Sequence, residues 1–295
     1  MQKALSPLAP RRVVLRGLVG AGIATALNAA APGGIRATPG LATQATRNVK
    51  VLAAYPLQGV KVGANPQDKW VLEGYTSIVV ITQYGDVFGH DLGPETDGRL
   101  RVGAAVQFTG PKVAANPPDK WVLNFGDQLV VVTQDGGVFG HAFDGATTIG
   151  EPYQLQGPPV AANDSDKWVL RHGDRIVVIT ADGRVFGHEL NFVDKTVAEA
   201  YQFQGPPVAA RFPDKWVLIA FNTFLVVTQE GAVFGHDLNL QGRTIGEPFA
   251  VESPPLGASP LDKWVFVDEP GGEILVVTRE GDVFAHPTEG LVPPV

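Results

Sequence analysis

A three-residue motif that combines a carboxylate, an amine and an aromatic ring occurs five times in this chain. Each copy reads Asp-Lys-Trp, and all five tryptophans of the protein belong to it. These groups suit a sugar, because an aromatic face packs on C–H groups while charged groups hydrogen-bond hydroxyls. The candidate ligand-binding residues are therefore the aspartate and tryptophan of every copy: Asp68, Trp70, Asp119, Trp121, Asp166, Trp168, Asp214, Trp216, Asp262 and Trp264.

The same tryptophans also have a structural interpretation. Wedge-shaped gaps between repeated sheets need large side chains, and a buried Trp usually donates its indole N–H to a neighbour. We expect packing to be their first role. Asp and Lys at adjacent strand positions point to opposite faces, so we expect them to pair across repeats rather than to act together.

A second recurring element places a histidine two residues after a phenylalanine. A metal site needs three or four converging ligands. If the repeats are arranged in a ring, equivalent residues converge only when they lie on a strand close to the ring axis. The Phe–His strand follows a hairpin, so it is not innermost. We expect a structural imidazole, either hydrogen-bonded to a backbone group or solvated, and no metal site, at His90, His141, His188, His236 and His286. His172, outside the repeat, is expected in a surface turn.

Catalysis would need one asymmetric constellation, whereas a repeat multiplies every residue. The non-repeated acids Glu95, Asp97, Asp268 and Glu269 stand beside Gly and Pro, where solvated loop residues are expected. The sequence contains no serine elbow, phosphate loop, zinc signature or dinucleotide fingerprint. We expect no catalytic residue and no cofactor, although the enzyme question stays open.

The elements that position these residues follow from the repeat itself. Successive motif tryptophans are 47 to 51 residues apart, and each repeat reads as four short strands, in the second copy 120–123, 129–133, 138–141 and 153–156. A glycine such as Gly136 marks the hairpin between the second and third strands. The Val/Ile runs do not alternate with polar residues, which indicates strands covered on both faces.

Repeats of this length with four strands each predict propeller blades. The segment 51–58 matches the fourth strand of later repeats, and the last repeat stops soon after His286. The ring therefore needs the N-terminal strand to complete the last blade and remove the open edge. The prediction is an all-β, closed five-bladed β-propeller of four-stranded antiparallel blades over residues 49–295.

The N-terminus is typical of a twin-arginine export signal. Arg11-Arg12 precedes an uncharged Gly/Ala-rich stretch of only 15 residues, too short for a comfortable membrane span. We expect a signal peptide over 1–37, a linker over 38–48, and a periplasmic, cell-wall or extracellular protein without a stable membrane span after processing. The chain has no Cys, so it needs no oxidising compartment for disulfides.

The net charge of the chain argues against some classes of partner. Residues 1–37 hold five basic residues and no acid, so their removal changes the formal net charge from −7 to −12. Such a surface repels phosphate backbones and anionic lipid, which argues against nucleic acid and membrane surfaces as partners.

The Val/Ile hairpin strand, the Gly turn, the Tyr/Phe-Gln strand, Gly-Pro-Pro-Val and the Asp-x-Trp-Val-Leu strand together resemble the tachylectin-type five-bladed propeller lectins. The resemblance covers essentially the whole mature chain, with the Phe-Gly-His element as a departure. It implies one site per blade for N-acetylated amino sugars. It also implies an innermost Val/Ile strand and an outermost Trp strand, whereas an analogy with WD repeats places the Trp strand innermost.

Two functions of different classes follow. The first is an exported, non-catalytic, multivalent module that binds a glycan or another cell-envelope component. The second is an interaction or structural propeller, whose contact surface would be the varied loops 93–101, 144–149, 191–197 and 239–244. A glycan-acting hydrolase is the third choice.

Overall fold

The computed structural model describes residues 48–74, 76–94, 100–143, 147–210, 214–268 and 272–291, and every regular element in these ranges is a β-strand. The expected signal peptide, nearly all of the linker, and the acids Glu95, Asp97 and Glu269 lie outside the described residues. Within the described ranges, no helix is long and apolar enough to cross a membrane.

Five antiparallel sheets form the blades of a five-bladed β-propeller, as the sequence predicted. Blades are numbered 1 to 5 in chain order of their Trp strands. The first strands are Asp68–Gly74, Asp119–Asn124, Asp166–His172, Asp214–Ala220 and Asp262–Asp268. The second strands are Ser77–Thr82, Gln128–Thr133, Arg175–Thr180, Thr223–Thr228 and Glu273–Thr278. The third strands are Val87–Pro94, Val138–Ala142, Val185–Asn191, Val233–Asn239 and Val283–Glu289.

The fourth position differs between blades. It is one strand in blades 1 and 2, namely Leu100–Gln107 and Tyr153–Leu155. In blades 3, 4 and 5 it is divided into two short pieces that both pair with the third strand: Thr196–Val197 and Tyr201–Gln202, Thr244–Ile245 and Phe249–Val251, Lys50–Val51 and Tyr55–Pro56.

The N-terminal strand closes the ring. Lys50 pairs with Glu289 and Tyr55 with Ala285, so the start of the propeller supplies the outer edge of blade 5. The Tyr55 hydroxyl also donates a hydrogen bond of 2.7 Å to Glu273 Oε1. The predicted closure is confirmed.

The Trp strand is innermost in every blade. Each of the five first strands contacts the first strands of its two neighbours, including blade 5 with blade 1. The strand order implied by the lectin resemblance is therefore wrong in this chain. The Phe–His strand is third from the axis, and it is therefore not innermost, as expected.

A separate apolar cluster fills each gap between blades. Val130 and Val132 of blade 2 pack towards blade 3, whereas the intervening Val131 packs towards blade 1. Successive side chains on a strand point to opposite faces, so an unbroken Val/Ile run supplies two gaps at once. This confirms that the second strands are covered on both faces.

Contacts between blades explain the glycines at the ends of the blades, namely Gly59, Gly110, Gly157 and Gly205, of which only the last two precede Pro-Pro. Thr109, at the end of blade 1, receives a backbone hydrogen bond from Ile149 of blade 2 and donates one to Thr147, both of 2.8 Å. Gly110 follows with φ 123°, and a Cβ there would lie 2.2 Å from the Ile149 oxygen. Only glycine fits this conformation and close approach. Parallel pairings at equivalent positions join the other blades through Gln58, Gln156, Gln204 and Glu252.

Candidate functional site

A β-bulge separates the aspartate and tryptophan of every motif. In blade 2, Asp119 pairs with Thr133 while Trp121 pairs with the adjacent Val132, and the same shift occurs in the other four blades. Residues two apart normally share a face, and the extra residue of a bulge reverses this. Trp121 packs into the gap towards blade 3, whereas Asp119 lines a pocket with Val131, on the side of blade 1. One motif therefore does not present both groups to one ligand.

The five tryptophans pack against the inter-blade clusters, each of them partly buried. The lysine of the motif lies over the ring of the following tryptophan, with Nζ 3.8 to 3.9 Å from the ring centroid for Trp70, Trp168 and Trp264. Within the described residues, Nε1 of Trp121 and Trp216 is buried without a hydrogen-bond partner, contrary to the expected indole bond.

The motif aspartates close the loop that leads into each first strand. Asp68, Asp119, Asp166 and Asp262 accept a hydrogen bond of 2.8 to 3.0 Å at Oδ2 from the backbone N–H three residues earlier. Asp68 favours the charged form of Lys263 in the preceding blade. Burial outweighs this attraction and lowers the pKa of Lys263.

The repeated histidines are buried and lie beside backbone carbonyls at the fourth position of their blades. Nδ1 of His90, His188, His236 and His286 donates to a carbonyl oxygen at 3.1 to 3.3 Å, as expected from the sequence. His141 lies beside the equivalent carbonyl of Gly150 without meeting hydrogen-bond geometry.

Burial sets the protonation state of these rings. Desolvation lowers the pKa of His141, His188 and His286, and the aspartate of the same blade opposes the shift. A neutral ring that donates through Nδ1 keeps Nε2 as a hydrogen-bond acceptor.

The Asp and His of blade 4 meet in a pocket of about 690 Å³. Its lining includes the apolar side chains of Val226, Phe234 and Pro248. Asp214 and His236 supply polar groups, and His236 is only 4% exposed. An apolar lining with a few convergent polar groups is the usual construction of a small-molecule site.

The same pocket recurs in blade 2 with a volume of about 300 Å³. Asp119, Thr133, Phe139 and His141 occupy the positions that Asp214, Thr228, Phe234 and His236 occupy in blade 4. All five repeats carry Asp, Thr, Phe and His at these positions. All four residue types can be read from the sequence. The bulge that places Asp on the same face of the sheet as His cannot.

A smaller cavity of about 220 Å³ lies on the axis, lined by the first strands of all five blades. Its walls are mainly apolar, with polar side chains at Glu73, Asn124 and Arg171. Arg171 Nη1 donates to the Asn124 carbonyl at 3.1 Å and lies 3.6 Å from Glu73 Oε2. The equivalent residues of blades 4 and 5 are Ile219 and Val267, so this polar cluster breaks the five-fold repeat. Sequence reasoning missed it, because these residues stand inside repeated strands.

Two expectations about non-repeated residues are wrong. His172 is not in a surface turn but ends the first strand of blade 3, where it is 8% exposed. Asp268 is not a solvated loop residue but ends the first strand of blade 5, where it is 5% exposed. Both strands continue further than the Gly- and Pro-containing sequence suggested. Among the described residues, no group of three or more His, Asp or Glu is arranged to hold a metal ion.

The chain belongs to the structural class of five-bladed β-propellers, and the Asp and His that line the described pockets of blades 2 and 4 recur in every repeat. No protein-family model matches it, and no curated protein sequence does either. Among solved structures, the Myxococcus xanthus glutaminyl cyclase superposes with a TM-score of 0.45 at 12% identity, covering 82% of this chain and 96% of that one. Human WBSCR16 superposes with a TM-score of 0.35 at 16% identity, covering 75% of this chain and 57% of that one. At these TM-scores neither likeness supports a conclusion about activity.

Proposed function

We propose that this protein is an exported, non-catalytic binding propeller that takes carbohydrate in its Asp–His pockets. The observation that carries the proposal is the pocket of blade 4, which polar groups and apolar side chains line together. A pyranose ring has this same division, with C–H groups on its faces and hydroxyls around its edge. Several weak sites on one ring gain strength when a polymeric glycan engages them together.

In this proposal the sugar contacts the aspartate of the Asp-Lys-Trp motif and not its tryptophan. The aspartates remain candidate ligands, because they line the described pockets of blades 2 and 4. The tryptophans become packing residues, because they contribute to the gaps and not to the walls of these two pockets. The phenylalanine of the Phe–His element replaces them as the aromatic surface.

The test is a calorimetric titration with N-acetylglucosamine and with a short peptidoglycan fragment. The Asp214→Asn variant keeps the shape of the side chain and removes its charge, and we expect it to lose the blade 4 site. Glu289→Gln, an exposed carboxylate at the end of blade 5, serves as the matched control. Absence of binding to either ligand by the folded protein would contradict the proposal.

A protein-interaction propeller remains the second candidate. It is favoured by Val193, an apolar side chain 91% exposed in the hairpin between the third and fourth positions of blade 3. The glycan proposal would be disfavoured if one protein partner saturates the propeller and sugars do not affect this binding. The Val193→Ser variant should then bind the partner more weakly.

Export is part of the proposal and rests on the sequence of the N-terminus. The paired arginines precede a weakly hydrophobic stretch, and the remaining chain is strongly acidic. Replacing Arg11 and Arg12 by lysine should leave the unprocessed protein in the cytoplasm. Unchanged processing and export in that variant would contradict the twin-arginine interpretation.

A further inference from the structure

One position of the innermost strands does not follow the five-fold repeat. Asp, Lys, Trp and Val recur in the first strand of every blade, and the next residue is leucine or phenylalanine. The position after it holds Glu73, Asn124, Arg171, Ile219 and Val267 in blades 1 to 5, and all five residues line the axial cavity. The repeat therefore diverges at a cavity, and residues that break a local pattern at a cavity are candidates for function.

The charged residues at this position form an ion pair that spans three blades. Arg171 Nη1 lies 3.6 Å from Glu73 Oε2, and the two side chains are 22% and 15% exposed. Blades 3 and 1, which supply them, are separated in the ring by blade 2. Asn124 of blade 2 joins the pair: its Nδ2 donates to the Glu73 carbonyl oxygen at 2.9 Å, and its own carbonyl accepts from Arg171 Nη1 at 3.1 Å.

Stability alone explains this ion pair poorly. Two charges with little exposure lose much of their hydration, so such a pair contributes little net stability compared with apolar residues of similar volume. Blades 4 and 5 contain this apolar alternative, because Ile219 and Val267 occupy the same position and are 8% and 7% exposed. The fold does not require charge at this position, which makes recognition of a ligand the better explanation.

The axial cavity offers one charge of each sign. Among its described lining residues, Arg171 and Glu73 carry the charges, while His172 and Asp268, at the ends of their strands, are not part of the lining. A ligand with one charge would pair with one of the two groups and lie beside the like charge of the other, which is costly. A zwitterion pairs with both, because the guanidinium fork matches a carboxylate and Glu73 accepts hydrogen bonds from an ammonium group.

The volume of the cavity restricts the size of such a ligand. An apolar protein cavity of about 150 Å³ holds benzene, so a volume of about 220 Å³ corresponds in proportion to roughly nine non-hydrogen atoms. The lining also includes Leu170, Leu218 and Phe266, which suit an aliphatic chain. A free α-amino acid of the size of leucine has both charges, an apolar chain and this number of atoms.

We propose that the axial cavity binds a free aliphatic α-amino acid of about the size of leucine. The ligand carboxylate pairs with Arg171, its ammonium group pairs with Glu73, and its chain lies against the apolar residues of blades 4 and 5. This site is separate from the pockets of blades 2 and 4, and the inference does not depend on the carbohydrate proposal.

The experiment is a calorimetric titration of the full chain at pH 7 with L-leucine, 4-methylpentanoate and 3-methylbutylamine. The two analogues keep the aliphatic chain, and each lacks one of the charged groups. We expect one leucine site per chain, with affinity at least about tenfold higher for leucine than for either analogue. Equal affinity for the three ligands, or no binding of leucine by the folded protein, overturns the inference. Titration of the same sample with N-acetylglucosamine tests the glycan proposal independently.

Two variants should reverse the preference between ligands. Glu73→Gln removes the partner of the ammonium group, so 4-methylpentanoate should bind at least as tightly as leucine. Arg171→Gln should give the same result with 3-methylbutylamine. If the pair were only structural, both variants would weaken all three ligands together, and that result overturns the inference.

Arg175→Gln is the matched control. It removes an arginine of the same blade from an ion pair of 3.2 Å with Glu189, and neither residue lines the axial cavity. Leucine affinity should not change in this variant, and a loss equal to that in Arg171→Gln contradicts the assignment of the site. The comparison of the three ligands on the native chain tests the inference even if a variant does not fold.

Discussion

Asp119 and Trp121 lie two residues apart on the inner strand of blade 2, yet they face different neighbouring blades. The β-bulge between them places Asp119 opposite Thr133 and Trp121 opposite Val132. The two side chains of one motif therefore have different roles. The tryptophan contributes to the gap towards the next blade, and the aspartate contributes to a pocket on the side of the preceding blade.

Replacement of a motif tryptophan should affect folding before it affects binding. Trp168→Ala removes a ring that packs against the cluster between blades 3 and 4, and we expect a loss of about 3 kcal/mol in the free energy of unfolding. Trp168→Phe should lose less. Urea denaturation measures both. A Trp168→Ala protein with unchanged stability and one sugar site fewer would show that the ring is a sugar platform.

The glycine at the end of blade 1, Gly110, should be intolerant of any side chain because it lies where blades 1 and 2 touch. In Gly110→Ala the new Cβ would meet the Ile149 oxygen, and the backbone would keep a φ that disfavours alanine. We expect a loss of about 2 kcal/mol or more.

Gly93 provides the matched control, since a Cβ there meets nothing within 4 Å and its φ is not positive. Gly93→Ala should leave the melting temperature nearly unchanged. Equal melting temperatures for the two variants would contradict the importance of the contact between blades 1 and 2.

Acid should weaken the ring through its buried histidines. Burial lowers the pKa of His141, His188 and His286 below the ordinary value of 6.5, so the unfolded chain binds protons more readily than the folded one. Their contribution is intact above pH 6.5 and is lost as the pH falls from there through the folded pKa values. The melting temperature should fall in this window, and less steeply in His188→Gln. A His188→Gln profile identical to that of the native protein would contradict this origin.

Much of the fold could be predicted because the sequence repeats the same pattern of strands and turns five times. Five Trp residues at regular spacing, a glycine in each hairpin, and an N-terminal copy of the fourth strand define five blades and their closure. The order of strands from axis to rim could not be predicted, because Trp and Val/Ile strands are both apolar enough to be innermost.

The site was harder to predict for a physical reason. A single bulged residue reverses the parity of a strand, so side chains expected on one face, such as Asp119 and Trp121, lie on two. The axial pair Glu73 and Arg171 was missed because it belongs to different blades, 98 residues apart in the chain, and only the closed ring brings the two together.

The most direct test of the Asp–His pocket as the sugar site is a crystal structure of the protein with a bound amino sugar. The predicted result is ligand density in the blade 4 pocket, with hydrogen bonds to Asp214 and His236 and the sugar face against Phe234. Density on the face of a motif tryptophan or in the axial cavity, with the Asp214–His236 pocket empty, would contradict it.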